Sequence, residues 1–115
     1  MQYPHEQFQY LEFASRDLPT IKQFYQTAFG WEFTDYGPEY TAFSGQYVDG
    51  GFYPGEPKSG SILPILYSSN LEESQQQVEA AGGVVVKPIF SFPGGRRFHF
   101  TDPDDNEVAV WSDEV

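Results

Sequence analysis

The chain has 115 residues, a formal net charge of −11 and no cysteine. That length suits one domain with a core of its own, and an aromatic content of 18% argues against disorder. So acidic a surface repels phosphate backbones and anionic lipid, which excludes nucleic acid and membranes as expected partners, and without cysteine there are no disulfides, thiolate metal sites or cysteine nucleophile.

The opening residues, MQYPHEQFQYLEF, carry neither the positive n-region nor the apolar h-region of a signal peptide. No apolar run approaches the roughly 20 residues of a membrane span, so a cytoplasmic protein is expected. His5 reads as a frayed terminal residue. Phe8 to Ala14 reads as a strand with Glu12 as its one charge. Asp17 is a good N-cap, with Pro19 in the first turn of a helix whose Leu18, Ile21, Phe24, Tyr25 and Ala28 form an apolar stripe. Gly30 ends it. Trp31 to Phe33, Tyr40 to Phe43 and Val48 to Tyr53 read as three short strands separated by turn residues.

Pro54 to Gly60 is Pro/Gly-rich and polar, the natural linker. Beyond it, Ile62 to Tyr67 reads as a strand in which Pro64 suggests an edge or a bulge. Asn70 caps a Glu/Gln-rich helix to about Ala81, and Gly82-Gly83 closes it. Val84 to Lys87 reads as a strand, and KPIFSFPGGRR, from Lys87 to Arg97, as a long loop. Arg97 to Thr101 and Glu107 to Trp111 form a final pair around the turn Asp102-Pro103-Asp104-Asp105-Asn106.

The chain also repeats itself. DLPTIKQFYQTAFGWEF, from Asp17, aligns without a gap on NLEESQQQVEAAGGVVV, from Asn70. Each copy runs from an Asx-Leu cap through a helix and a glycine into an apolar strand. Two copies are too few for a solenoid and fit two similar modules, about residues 6–54 and 61–113 with a linker at 54–60, burying their faces in one domain.

DLPTIKQFYQTAFGWEF together with the closing RRFHFTDPDDNEVAVW resembles the vicinal-oxygen-chelate superfamily of glyoxalase I, bleomycin-resistance proteins and extradiol dioxygenases. The resemblance implies an α+β fold of two βαβββ modules curved into a half-open barrel, and a homodimer. Asp105 stands where the family usually has Gly, and Asp tolerates the left-handed backbone that such a turn requires.

Catalytic branches of the family hold a divalent metal with His, Glu or Gln from the first and last strands of each module. By resemblance those positions are Tyr10, Leu63 and Ala109, with a fourth within Gly50-Gly51-Phe52. Leu, Ala and Gly offer no side-chain ligand and Tyr10 alone holds nothing, so no metal and no other cofactor is expected. His99, between Phe98 and Phe100, reads as a hydrogen-bonded sheet histidine on a strand that the family does not use for ligands.

Strand alternation gives the inward residues. Phe8, Tyr10 and Glu12 share one face, as do Leu63, Ile65 and Tyr67, and Ala109 and Trp111 with Glu107; Phe52 joins from the first module. The expectation is an aromatic-lined pocket for a small organic ligand. Arg96 and Arg97, after Pro93-Gly94-Gly95, could reach over its mouth. Glu12 is the candidate catalytic residue, since a lone carboxylate among aromatics is costly to bury unpaired. It could anchor a cationic or hydroxyl-bearing ligand, act as a base, or bond a tyrosine hydroxyl and hold the sheet. Small-molecule binding without metal leads. The alternative is a glyoxalase-type lyase, isomerase or epimerase with an unconventional divalent-metal site and Glu12 as general base, and a purely structural or partner-binding role is third.

Overall fold

The computed structural model describes residues 3–58, 62–103 and 105–114. The end of the expected linker (residues 59–60) and Asp104 of the expected turn lie outside them. The elements run β1 (Gln7–Ser15), α1 (Leu18–Phe29), β2 (Phe33–Asp35), β3 (Thr41–Phe43), β4 (Asp49–Pro54), β5 (Leu63–Tyr67), α2 (Leu71–Ala80), β6 (Val84–Phe92), β7 (Gly95–Thr101) and β8 (Glu107–Ser112). This is βαβββ twice, an α+β fold.

The caps act as their residue types dictate. Asp17 Oδ1 accepts the Thr20 amide at 3.2 Å, and Gly30 closes α1 with φ 73°. Asn70 Oδ1 accepts the Glu73 amide at 3.1 Å. Asp105 adopts φ 64°, the left-handed backbone that its place in the turn requires.

Two compact units divide the chain, Tyr10–Ile62 and Leu63–Val115 joined by the residues up to Gln9. The boundary falls inside β1, not before it. The reason is where the opening residues bond: the Glu6 amide donates to Tyr67 O, Gln9 Oε1 accepts from Trp111 Nε1, and His5 Nδ1 accepts the Ser69 amide at 3.1 Å. His5 is therefore a docked side chain and not a frayed one.

In the first unit the strand order is β2-β3-β4-β1, with β1 and β4 parallel. Its core is aromatic: Phe13 stacks on Phe52 (5.2 Å), Tyr25 on Trp31 (4.5 Å), and Trp31 lies 4.6 Å from Phe43. The stripe of α1 supplies Tyr25, whereas Phe24 stays largely exposed. In the second unit the order is β5-β8-β7-β6, and Leu71 of α2 packs with Phe98 and Val110 in an apolar core.

One expected loop is a strand. KPIFSF continues β6 as far as Phe92, and only Pro93-Gly94 turns, with Gly94 at φ 110°. Pro88 is tolerated because β6 is the outer strand of its unit's order and its register shifts on both sides of Lys87.

Candidate functional site

In the first unit, the parallel ladder pairs Tyr10 with Asp49, Glu12 with Gly51 and Phe13 with Phe52. Residues alternate faces, so Tyr10 and Glu12 share the face opposite Phe13 and the α1 core. Tyr40, at the entrance to β3, completes a chain: its hydroxyl donates to Glu12 Oε2 at 2.9 Å and lies 2.6 Å from the Tyr10 hydroxyl. Each hydroxyl has one proton. Since Tyr40 gives its own to Glu12, Tyr10 donates to Tyr40, and the order of donation is Tyr10, Tyr40, Glu12.

Gly51 makes the room. A Cβ there would collide with the Tyr40 ring and hydroxyl and come within 2.8 Å of the Tyr10 hydroxyl. Burial, followed by the charge of Glu12, holds the Tyr40 hydroxyl far above its ordinary pKa. Burial likewise raises Tyr10, against the opposing effect of its bond to Tyr40. Both phenols stay neutral over the physiological range, and the oxygens of Tyr10 and Glu12 are hydrogen-bond acceptors.

In the second unit the face carrying Ala109 is set by two registers, Ile65 with Ala109 and Tyr67 with Trp111 on one side, His99 with Ala109 and Arg97 with Trp111 on the other. Tyr67, Ile65 and Ala109 are fully buried. The Tyr67 hydroxyl donates to Asp113 at 2.6 Å; burial first, then that carboxylate, pushes it up to about 12. Tyr3 covers this corner, its ring 5.3 Å from Tyr67 and 5.8 Å from Trp111. His99 sits on the same face with Nδ1 2.8 Å from Glu107 Oε2.

The residues expected to line a pocket thus divide between the units: Tyr10, Glu12 and Phe52 in the first, and Phe8, Leu63, Ile65, Tyr67, Ala109 and Trp111 in the second. The hydrogen-bond chain joins Tyr10 and Glu12. Phe52 is a correction: it packs with Phe13, Tyr25 and Phe43 under α1, because parity puts it on the other face of β4 from Gly51. Phe8 is largely exposed. Arg96 and Arg97 separate, because they are consecutive strand residues and not loop residues. Arg96 turns to α2 and binds Glu72 with two nitrogens, at 2.6 and 3.3 Å, which corrects its expected place at a mouth. Arg97 stays with Trp111, its guanidinium 5.5 Å from the Phe90 ring.

Tyr40 was missed from sequence although Gly51 beside Glu12 left the space that it fills. The His99–Glu107 contact was also missed, although a turn over Asp102 to Asn106 sets Thr101 opposite Glu107 and so brings His99 within diagonal reach.

A divalent metal of the kind that the fold's catalytic branches hold does not fit this donor set. Tyr10 is engaged with Tyr40, Gly51 has no side chain, Leu63 is apolar and Ala109 is buried. Among the described residues no three His, Cys, Asp or Glu side chains stand close enough to hold a metal ion. No helix among them is long and apolar enough to cross a membrane.

Known structures share this fold. Methylmalonyl-CoA epimerase from Mycobacterium tuberculosis superposes with a TM-score of 0.75 at 12% identity, covering 97% of this chain and 92% of that one. The Mn(II)-bound glyoxalase from Novosphingobium aromaticivorans gives 0.72 at 24% identity over 95% of this chain but 39% of its own. A glyoxalase/bleomycin resistance protein/dioxygenase superfamily member from Vibrio splendidus 12B01 gives 0.68 at 16% identity, covering 89% and 95%. No curated protein matches the sequence. The profile of the Glyoxalase/Bleomycin resistance protein/Dioxygenase superfamily matches residues 7–110, nearly the whole chain, and the protein belongs to that superfamily.

Proposed function

We propose that the chain is a small-molecule-binding member of its superfamily that works without a metal, and that its first unit receives a compact ligand bearing an amine or hydroxyl. The observation that carries this reading is the Tyr10–Tyr40–Glu12 chain over Gly51. All its protons run towards Glu12, so Tyr10 oxygen and the Glu12 carboxylate can only accept from a ligand, and Asp49 beside Tyr10 adds a second negative charge. A cationic or hydroxyl-bearing ligand meets both demands; an anion meets neither. A homodimer and a cytoplasmic location belong to the same reading, and the net charge of −11 supports the exclusion of nucleic acid and anionic membranes.

Glu12 also carries the second reading, a lyase, isomerase or epimerase of the glyoxalase type with Glu12 as base. The two part on metal. Calorimetric titration with small amines and polyols, beside thermal shifts with Zn²⁺, Ni²⁺, Mn²⁺ and Fe²⁺, decides between them. Binding of donor-bearing compounds, weakened roughly tenfold or more by Glu12→Gln and indifferent to metal, is the expected outcome. Stabilisation or turnover that requires metal would establish the second reading, and carboxylic acids binding where amines do not would overturn the first.

A further inference from the structure

A buried polar atom without a partner is rare in a folded protein and calls for an explanation. His99 supplies one. Its side chain is 3% exposed and its Nε2 has no hydrogen-bond partner among the described residues. Leaving such a group dry costs stability. The other ring nitrogen is engaged: Nδ1 lies 2.8 Å from Glu107 Oε2, whose side chain is 48% exposed. A carboxylate on Nδ1 fixes the tautomer, placing the proton there and leaving a lone pair on Nε2.

The surroundings say what that lone pair would meet. Lys87 of β6 stands opposite His99 in register, and Arg97 follows two residues before it on the same face of β7. Two of the six cationic side chains of a strongly acidic chain therefore face one imidazole. Burial holds the His99 pKa below its ordinary value, against the bond to Glu107, and the charges of Arg97 and Lys87 push the same way, so the ring is neutral at pH 7. The cover is aromatic and belongs to an edge strand. The Phe90 ring lies 5.9 Å from the imidazole, Arg97 lies over Phe90 and Phe92, and both phenylalanines belong to β6. That strand shifts register on both sides of Lys87, so its ladder is interrupted beside His99, whereas the β7–β8 ladder is regular.

We infer that His99 and Glu107 form a second binding site, on the sheet face of the second unit, in which His99 Nε2 accepts a hydrogen bond from the hydroxyl of a small hydroxylated anion. Arg97 and Lys87 attract the anionic group, and Glu107 is the positioning residue that keeps the acceptor nitrogen bare. This ligand has the opposite charge preference from the one proposed at Tyr10 and Glu12, so either site can fail without the other.

Nitrogen-15 NMR of the labelled full chain tests it, with His5→Asn assigning the two rings. The free protein should show His99 as the Nδ1–H tautomer. 4-Hydroxybenzoate at millimolar concentration should shift the Nε2 resonance, and benzoate, which lacks the hydroxyl, should not. Glu107→Ala should move the proton to Nε2 and weaken 4-hydroxybenzoate roughly tenfold or more, while Glu107→Gln, which still accepts from Nδ1, should restore much of both. Glu107 is half exposed, so these variants should leave the packing around the imidazole intact. An Nε2–H tautomer in the free protein overturns the inference. So does an Nε2 resonance indifferent to 4-hydroxybenzoate, or one that benzoate shifts equally.

Discussion

In the first unit Tyr10, Tyr40 and Glu12 bond one another in a single chain, whereas in the second His99 gives one ring nitrogen to Glu107 and finds no partner for the other among the described residues. Both groups stand on the sheet face turned away from the unit's helix, and both units run β-α-β-β-β. What separates them is what lies opposite. Gly51 leaves space that two phenols fill, while Ala109, opposite His99, fills its own space and offers nothing polar. In one cluster every hydroxyl proton is spent within the chain and only acceptors are left to meet a ligand, and in the other a buried ring nitrogen has no partner among the described residues.

The comparison breaks most simply at the cores beneath. Phe98→Ala should cost about 3–5 kcal/mol in urea unfolding, the usual loss for a fully buried aromatic, because Phe98 is 0% exposed between Leu71 and Val110. A much smaller loss would mean that the second unit's core is not as closed as its packing indicates. Gly51→Val comes next, at about 1–3 kcal/mol for overpacking, and should also part Tyr10 from Tyr40. An unchanged tyrosine titration in this variant would remove Gly51 from the argument.

Tyr40→Phe sharpens the comparison, because it deprives the first unit of its satisfied chain. A loss of about 1–2 kcal/mol is expected near neutral pH. The raised pKa of Tyr40 gives the sign at high pH. The folded protein holds a proton that the unfolded chain releases above about pH 10, so wild-type stability falls as the pH rises beyond that value. The variant should lose less between about pH 9 and 11, and an identical alkaline slope would refute the account. His99 works in the opposite direction. Its lowered pKa means that the unfolded chain takes up a proton first, so stability falls as the pH drops through 6.5 and levels off below the folded value. His99→Phe should flatten that part of the urea-midpoint profile. Smallest of all is Arg16→Ala, which breaks an ion pair with Glu56 whose side chains are 68% and 78% exposed and should leave Tm unchanged.

Much of the frame was legible because it is local. Asp17, Asn70, Gly30 and the turn at Asp102 each act within a few residues of themselves, and each does in the structure what its chemistry suggests. The second half of β6 was not legible: Val84 to Lys87 reads as a strand, but Pro88 and the Pro93-Gly94-Gly95 that follows make Lys87 to Phe92 look like a loop until β7 pairs with it. The site divided along the same line. Parity along β1 is enough to set Tyr10 beside Glu12, but Tyr40 reaches them from 28 residues away, and no short-range pattern announces it. Arg96 and Arg97 were misread for a related reason: a loop would send both the same way, and a strand sends them to opposite faces.

Gln9 is buried, and its partner Trp111 lies 102 residues further along the chain. Contacts of such long range raise the contact order and slow folding. During synthesis the amide of Gln9 leaves the ribosome long before the indole that will bind it, so the second unit closes only once its last strand has been made. Until then the aromatic opening residues have no seat.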